Sequence, residues 1–162
     1  MPHFFALIAL VMSFLAPVLG PGTGSANEID PLATVIASKQ DIPARTGDLD
    51  EILDSGVLRV LVEYSRTRFF VDGGRLRGFE YELVTQFAEK LRETHKDAKG
   101  LRVVLIPMPF DEILPALANG WGDIAAAGLT ITADRSARID FSRPYITGVR
   151  EAVVAGKNAA PL

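Results

Sequence analysis

Ala127-Gly128-Leu129-Thr130-Ile131-Thr132-Ala133-Asp134-Arg135 follows directly on the apolar run Ile124 to Ala127, and Asp140-Phe141-Ser142-Arg143-Pro144-Tyr145 comes soon after. The first stretch places a Gly turn, two hydroxyls and one Arg within a few residues of a strand end. Free backbone N–H groups, a hydroxyl and a planar guanidinium gathered in this way suit one small anion. Arg in particular binds a carboxylate through two parallel hydrogen bonds.

Outward from that stretch, short apolar runs alternate with amphipathic ones. Asp48 reads as an N-cap with Glu51 reaching back to it, and the helix Leu49 to Ser55 then stops at Gly56. Val57 to Glu63 reads as a buried strand, and Phe69-Phe70-Val71 as a second short one turned by Asp72-Gly73-Gly74. A helix is expected from about Tyr81 to Glu93, with Leu83, Val84, Phe87, Ala88 and Leu91 forming one apolar face. Leu101 to Ile106 is nearly all apolar, as in a strand covered on both faces. Asp111 is expected to cap a helix through Ala118, closed by Asn119-Gly120, with Pro115 at about its fourth position. Strands alternating with helices at this spacing imply βαβ units and a parallel sheet.

The 162 residues suggest one domain, or one domain plus a targeting segment. Phe4 to Leu19 carries no charge and is followed by small and helix-breaking residues, with Gly24 and Ala26 before Asn27. That pattern predicts a signal peptide over residues 1–26, cleaved after Ala26, and a periplasmic location. An uncleaved N-terminal anchor is the alternative. Asn27 to Gly47 is polar and broken by Pro31 and Pro43, and reads as a linker or loosely held arm. Seventeen basic and twenty acidic residues give a charge of −3 without a basic block, which argues against nucleic acid as a partner. The chain has no cysteine, and His3 and His95 are far apart, so neither a disulfide nor a metal site is expected. No nucleophile has an adjacent His, so catalysis is not expected, nor is a cofactor.

Taken with Gly78-Phe79-Glu80-Tyr81-Glu82-Leu83, the two stretches quoted first resemble the family 3 bacterial extracellular solute-binding proteins, from about Leu49 to about Gly156. The resemblance implies an α/β fold: a periplasmic-binding-protein type II lobe with a mostly parallel sheet flanked by helices, over residues 48–156. It also implies that the second lobe is missing, residues 157–162 being the start of the crossover or a truncated tail. The implied ligand is a small molecule, an amino acid zwitterion, delivered to an inner-membrane ABC permease. Gly56-Val57-Leu58-Arg59-Val60 and Ala126-Ala127-Gly128-Leu129-Thr130 resemble equally the N-terminal module of membrane-bound lytic murein transglycosylase F. Such an enzyme uses a catalytic Glu usually followed by Ser, and no Glu-Ser pair occurs in this chain.

The resemblance assigns the carboxylate grip to Arg135 and Thr130, with Ala127 and Gly128 standing where the family has small hydroxyl residues. Read without it, Arg135 is a solvated residue pairing with Asp134 or Asp140, and Thr130 a turn or helix-capping residue. Phe110 stands where the family places an aromatic against the ligand side chain; otherwise it is a hydrophobic staple to the following helix. Tyr64, Phe69 and Phe70 lie in or near the loop that the resemblance expects to supply an opposing aromatic, and Ser65-Arg66-Thr67-Arg68 does not align so as to single one out. Arg66 and Arg68 either favour an acidic ligand or are simply solvated. Trp121 reads as a packing residue, and Asp123 as one that orients the strand after it.

Overall fold

Asp48 and Glu51 form the capping box expected of them, and the Glu51 carboxylate accepts from the Asp48 N–H at 2.8 Å. Gly56 ends that helix in the left-handed region at φ 65°. In the computed structural model residues 34–148 are described. The signal peptide, the start of the arm, the end of the expected lobe from Val149 and the 157–162 tail lie outside the described residues. Chain order runs β1 (Val35–Ile36), α1 (Leu49–Ser55), β2 (Val57–Val62), a hairpin of β3 (Phe70–Asp72) and β4 (Arg75–Arg77), then α2 (Phe79–Thr94), β5 (Arg102–Pro107), α3 (Phe110–Ala118), β6 (Ile124–Ala126) and the single turn α4 (Ala133–Ser136). Short 3-10 turns occupy Lys39–Asp41 and Lys96–Gly100.

The main sheet has the order β1-β5-β2-β6, and all its pairings are parallel. Leu58, Val60 and Val62 of β2 pack with Val103 and Leu105 of β5 beneath Leu53 of α1 and Val84, Ala88 and Leu91 of α2. On the other face Leu61, Val104 and Ile106 pack with Ile113 and Ala116 of α3. The two central strands are therefore apolar at successive positions because both their faces are covered. Among the described residues no helix is long and apolar enough to cross a membrane.

Four local expectations are corrected. Leu83 and Phe87 are exposed rather than buried: α2 starts at Phe79, and its buried stripe is Glu80, Val84, Ala88 and Leu91. Phe79, Leu83 and Phe87, spaced by four, lie on its outer shoulder. Asp111 is not the cap of α3: Pro109 occupies the N-cap and Asp111 is the second helical residue. Pro115 is accordingly the sixth residue of α3, and the helix runs through it. The arm is docked over its described part, since β1 pairs with β5 at the sheet edge and Arg45 N–H donates to the Gly120 carbonyl at 2.8 Å.

At the amino-terminal end of the sheet Arg59, only 2% exposed, meets Asp123, whose side chain is 4% exposed. Nη2 reaches Asp123 Oδ1 at 2.6 Å, and the Arg59 N–H donates to Oδ2 at 2.7 Å. Nη1 donates to the carbonyls of Pro43 and Gly120 and Nη2 to that of Arg45, so every guanidinium nitrogen is used. One buried charge thus ties β2 to the start of β6 and to the arm. At the other end, the segment after α4 folds back so that the Tyr145 hydroxyl donates to Oε1 of the buried Glu80 at 2.8 Å, with its ring 5.3 Å from that of Phe79.

Removing one partner of a buried, hydrogen-bonded pair leaves a charge uncompensated and costs about 3–5 kcal/mol. Asp123→Ala should lose stability on that scale in urea denaturation, and Arg59→Met/Asp123→Leu should recover part of it; a loss under about 1 kcal/mol for Asp123→Ala would contradict the role given to the pair. Tyr145 gives a pH test. Withdrawal of its hydroxyl from water, the bond to Glu80 and that carboxylate's charge push the phenol from 10.0 up to about 12, against a smaller pull from Arg68. The residue as a whole is half-exposed, so it is the hydroxyl end, held on a buried carboxylate, that feels this. The fold favours the neutral phenol, so the stability it lends is complete below pH 10.0 and is lost as pH rises through about 12. Alkaline titration followed by tyrosinate absorbance should show a step near pH 12 that Tyr145→Phe abolishes; an unchanged titration curve in that variant contradicts the contact.

Candidate ligand-binding site

Parallel pairing points the carboxyl ends of β2, β5 and β6 the same way, so the loops carrying Tyr64, Phe110 and Thr130 share one edge. β2 and its neighbour β5 then send their following helices, α2 and α3, to opposite faces of the sheet. Loops part at such a point and leave a crevice beyond the strand ends. An open cleft of about 1270 Å³ lies there, lined by Arg68, Phe110, Gly128, Thr130, Arg135 and Tyr145 among others.

Of the residues singled out from sequence, Phe110, Gly128, Thr130 and Arg135 are brought together on this cleft. Capping of α4 falls to Thr132, whose hydroxyl accepts from the Arg135 N–H at 3.3 Å. The Thr130 hydroxyl is therefore not a cap. Its carbonyl accepts from Arg135 Nη1 at 2.9 Å, which folds the guanidinium back over the turn. Asp134 pairs instead with Arg138 at 3.4 Å, and Arg135 makes no ion pair among the described residues. The pairing with Asp134 or Asp140 that would make Arg135 an ordinary surface charge is not formed. Phe110 is the first residue of α3 rather than the one before its cap, so it is not placed as a staple; it lines the cleft and packs on the core beneath.

Three residues sit elsewhere. The Ala127 side chain is buried in the core under α3, and its carbonyl accepts from Arg68 Nη1 at 3.3 Å. Tyr64 and Phe70 line a separate shallow depression with Ser65 and Arg66. The cause is local: Ser65 and Phe69 bridge through hydrogen bonds of 2.8 and 3.3 Å, Phe69 is buried, and Tyr64 stacks on it at 5.1 Å.

Glu80 and Tyr145 are not singled out for the site by the sequence, and of Arg66 and Arg68, read there as either favouring an acidic ligand or simply solvated, Arg68 lines this cleft and Arg66 the other depression. The Phe79 and Glu80 N–H groups donate at 2.9 Å to the carbonyls of Thr67 and Arg68, which docks that loop on the start of α2. Gly78, at φ 120°, permits this approach, because a side chain there would run into the Arg68 carbonyl. Gly78-Phe79-Glu80 was visible as a motif, but no local pattern says that its partner lies 65 residues onward in Tyr145. Trp121 is half-buried against the α3 side of the core, with Lys39 Nζ 5.0 Å from its ring centre.

The chain is 39% identical over 98 residues to membrane-bound lytic murein transglycosylase F 1 of Alkalilimnicola ehrlichii, covering 60% of this chain and 18% of that protein. It is 28% identical over 113 residues to cyclohexadienyl dehydratase of Pseudomonas aeruginosa, covering 68% of this chain and 39% of the enzyme. It thus spans well under half the length of these curated relatives. Among solved structures, the arginine-bound form of domain 1 of TmArgBP from T. maritima is 31% identical with a TM-score of 0.52, over 60% of this chain and 73% of that one. Residues 58–161 match the family of bacterial extracellular solute-binding proteins, family 3, and the chain belongs to that family.

Proposed function

We propose that the cleft holds the carboxylate of a free amino acid between Thr130 and Arg135, and that the chain serves as the binding lobe of an exported uptake protein working with an inner-membrane ABC permease. The observation that carries this reading is Arg135. It is anchored through one nitrogen to the Thr130 carbonyl and has no carboxylate partner among the described residues. A guanidinium pre-placed in this way beside a hydroxyl suits a ligand carboxylate. The solved domain 1 with arginine supports the idea that a single lobe of this fold offers a usable surface. The apolar run Phe4 to Leu19 supports export.

A second reading is favoured by the 39% identity to the transglycosylase: a regulatory solute-binding-like module of a lytic murein enzyme. Coding sequence downstream discriminates, since a lysozyme-like domain there supports this reading and a second binding lobe supports uptake. In either case we infer binding rather than catalysis in the cleft. The one carboxylate among its lining residues, Glu80, is buried and held by the Tyr145 hydroxyl, which leaves it poorly placed to take a proton from a ligand.

The described residues supply one wall, so bound carboxylate stays wet. A charge-assisted hydrogen bond contributes about 1.5–3 kcal/mol net, less where water competes. Binding near 1 mM, roughly −4 kcal/mol, is expected. Calorimetry on periplasmic protein whose N-terminus is Asn27 tests this, with Arg135→Ala abolishing the signal. Micromolar affinity for any amino acid would contradict the one-wall estimate, and undiminished binding by Arg135→Ala would sink the assigned grip.

A further inference from the structure

The cleft carries more positive charge than a zwitterion requires. Arg68, Arg135 and Arg143 line it, and the one carboxylate among the lining residues, Glu80, is engaged by Tyr145. Arg135 alone suffices for one carboxylate. Arg68 is then in excess, and its placement is constrained. Nη1 donates to Glu63 Oε2 at 3.1 Å and to the Ala127 carbonyl at 3.3 Å, while Nε and Nη2 have no protein acceptor among the described residues. The guanidinium lies flat against the turn that leads to Thr130: a Cβ on Gly128 would sit 2.9 Å from Nε and 3.2 Å from Nη2. Glycine, here at φ 61°, leaves that space open, whereas a side chain at 128 would push the guanidinium aside. Glu63 offsets part of the charge, but the pair is open to solvent, where an ion pair holds its partners weakly and leaves the guanidinium free to engage a second anion.

We propose that this cleft selects acidic ligands, taking one carboxylate on Arg135 and Thr130 and a second on Arg68, so that glutamate or aspartate is preferred to arginine, the ligand of the solved domain 1 relative. The proposal rests on the amino-acid reading of the same cleft and adds the ligand class. Selection works in both directions. A second carboxylate gains the free edge of Arg68, whereas a cationic side chain meets Arg68 and Arg143 with no disengaged carboxylate among the lining residues.

Glutamate, its neutral isostere glutamine, and arginine are titrated into the full chain by calorimetry, and again into Arg68→Met and Arg68→Lys. Glutamate should bind about tenfold more tightly than glutamine, the gain of one charge-assisted hydrogen bond, with arginine weakest. Arg68→Met should collapse the glutamate-to-glutamine ratio toward one, and Arg68→Lys should restore part of it. Glutamine or arginine binding as well as glutamate overturns the acidic preference and leaves the amino-acid reading standing. Binding of none of the three overturns both. A folded Arg68→Met that keeps the ratio removes Arg68 from the proposal, and if that variant does not fold the ratios on the native chain decide.

Discussion

The buried guanidinium of Arg59 is the constraint around which the described residues are arranged. A charge this far from water is tolerable only when every hydrogen is matched, and its acceptors come from three separate stretches: the arm at Pro43 and Arg45, the turn at Gly120, and Asp123. Asp123 returns its own N–H to the Arg59 carbonyl at 2.8 Å, which sets the register in which Val60 faces Ile124. Gly120 has to be glycine, because a Cβ there would come within 2.6 Å of the Arg45 carbonyl. The apolar layers on either face of β2 and β5 supply most of the burial, but they are non-directional. The ion pair makes the alignment of β6 on β2 specific.

With the strands fixed at their amino ends, their carboxyl ends emerge together, and the chemistry gathers there. Two close backbone approaches shape that edge. Gly78 lets the Thr67–Arg68 loop dock on the start of α2, and Gly128 lets the Arg68 side chain lie on the turn after β6. The loop after β2 and the loop after β6 are joined in this way through Arg68 and the Ala127 carbonyl. Tyr145 ties the segment after α4 to Glu80, completing the far rim of the cleft. The Arg59–Asp123 pair thus lies at one end of the sheet and the candidate cleft at the other, outside the carboxyl ends of the strands where open parallel sheets bind ligands.

The sequence made the elements legible where local rules govern. The capping box at Asp48, the stop at Gly56, the apolar runs of β2 and β5 and the Gly-Gly hairpin turn all follow from spacing and composition. The apolar face of α2 was only partly legible. Leu83 and Phe87 satisfy helical spacing as well as Val84 and Ala88 do, and only the placement of the sheet decides which side is covered. The start of α3 was shifted by two residues because Pro109, which has no N–H to lose, takes the cap in place of Asp111. At the site, Thr130 and Arg135 stood out because they are close in sequence, whereas Arg68, Glu80 and Tyr145 meet only through tertiary contacts of long sequence separation. Tyr64 and Phe70 carried the right chemistry in the right loop, but the Ser65–Phe69 bridge turns them onto another surface.

The measurement that bears most directly on the account is a ligand titration of the isotope-labelled chain followed by NMR, observing backbone amides together with the Arg Nε–Hε groups. With glutamate as the probe, the largest shifts should fall on Gly128, Thr130 and the Nε–Hε groups of Arg135 and Arg68, which all line the one cleft. Saturable shifts centred instead on the Tyr64–Phe70 depression or around Lys39 and Trp121, with the 128–135 turn unmoved, would contradict it.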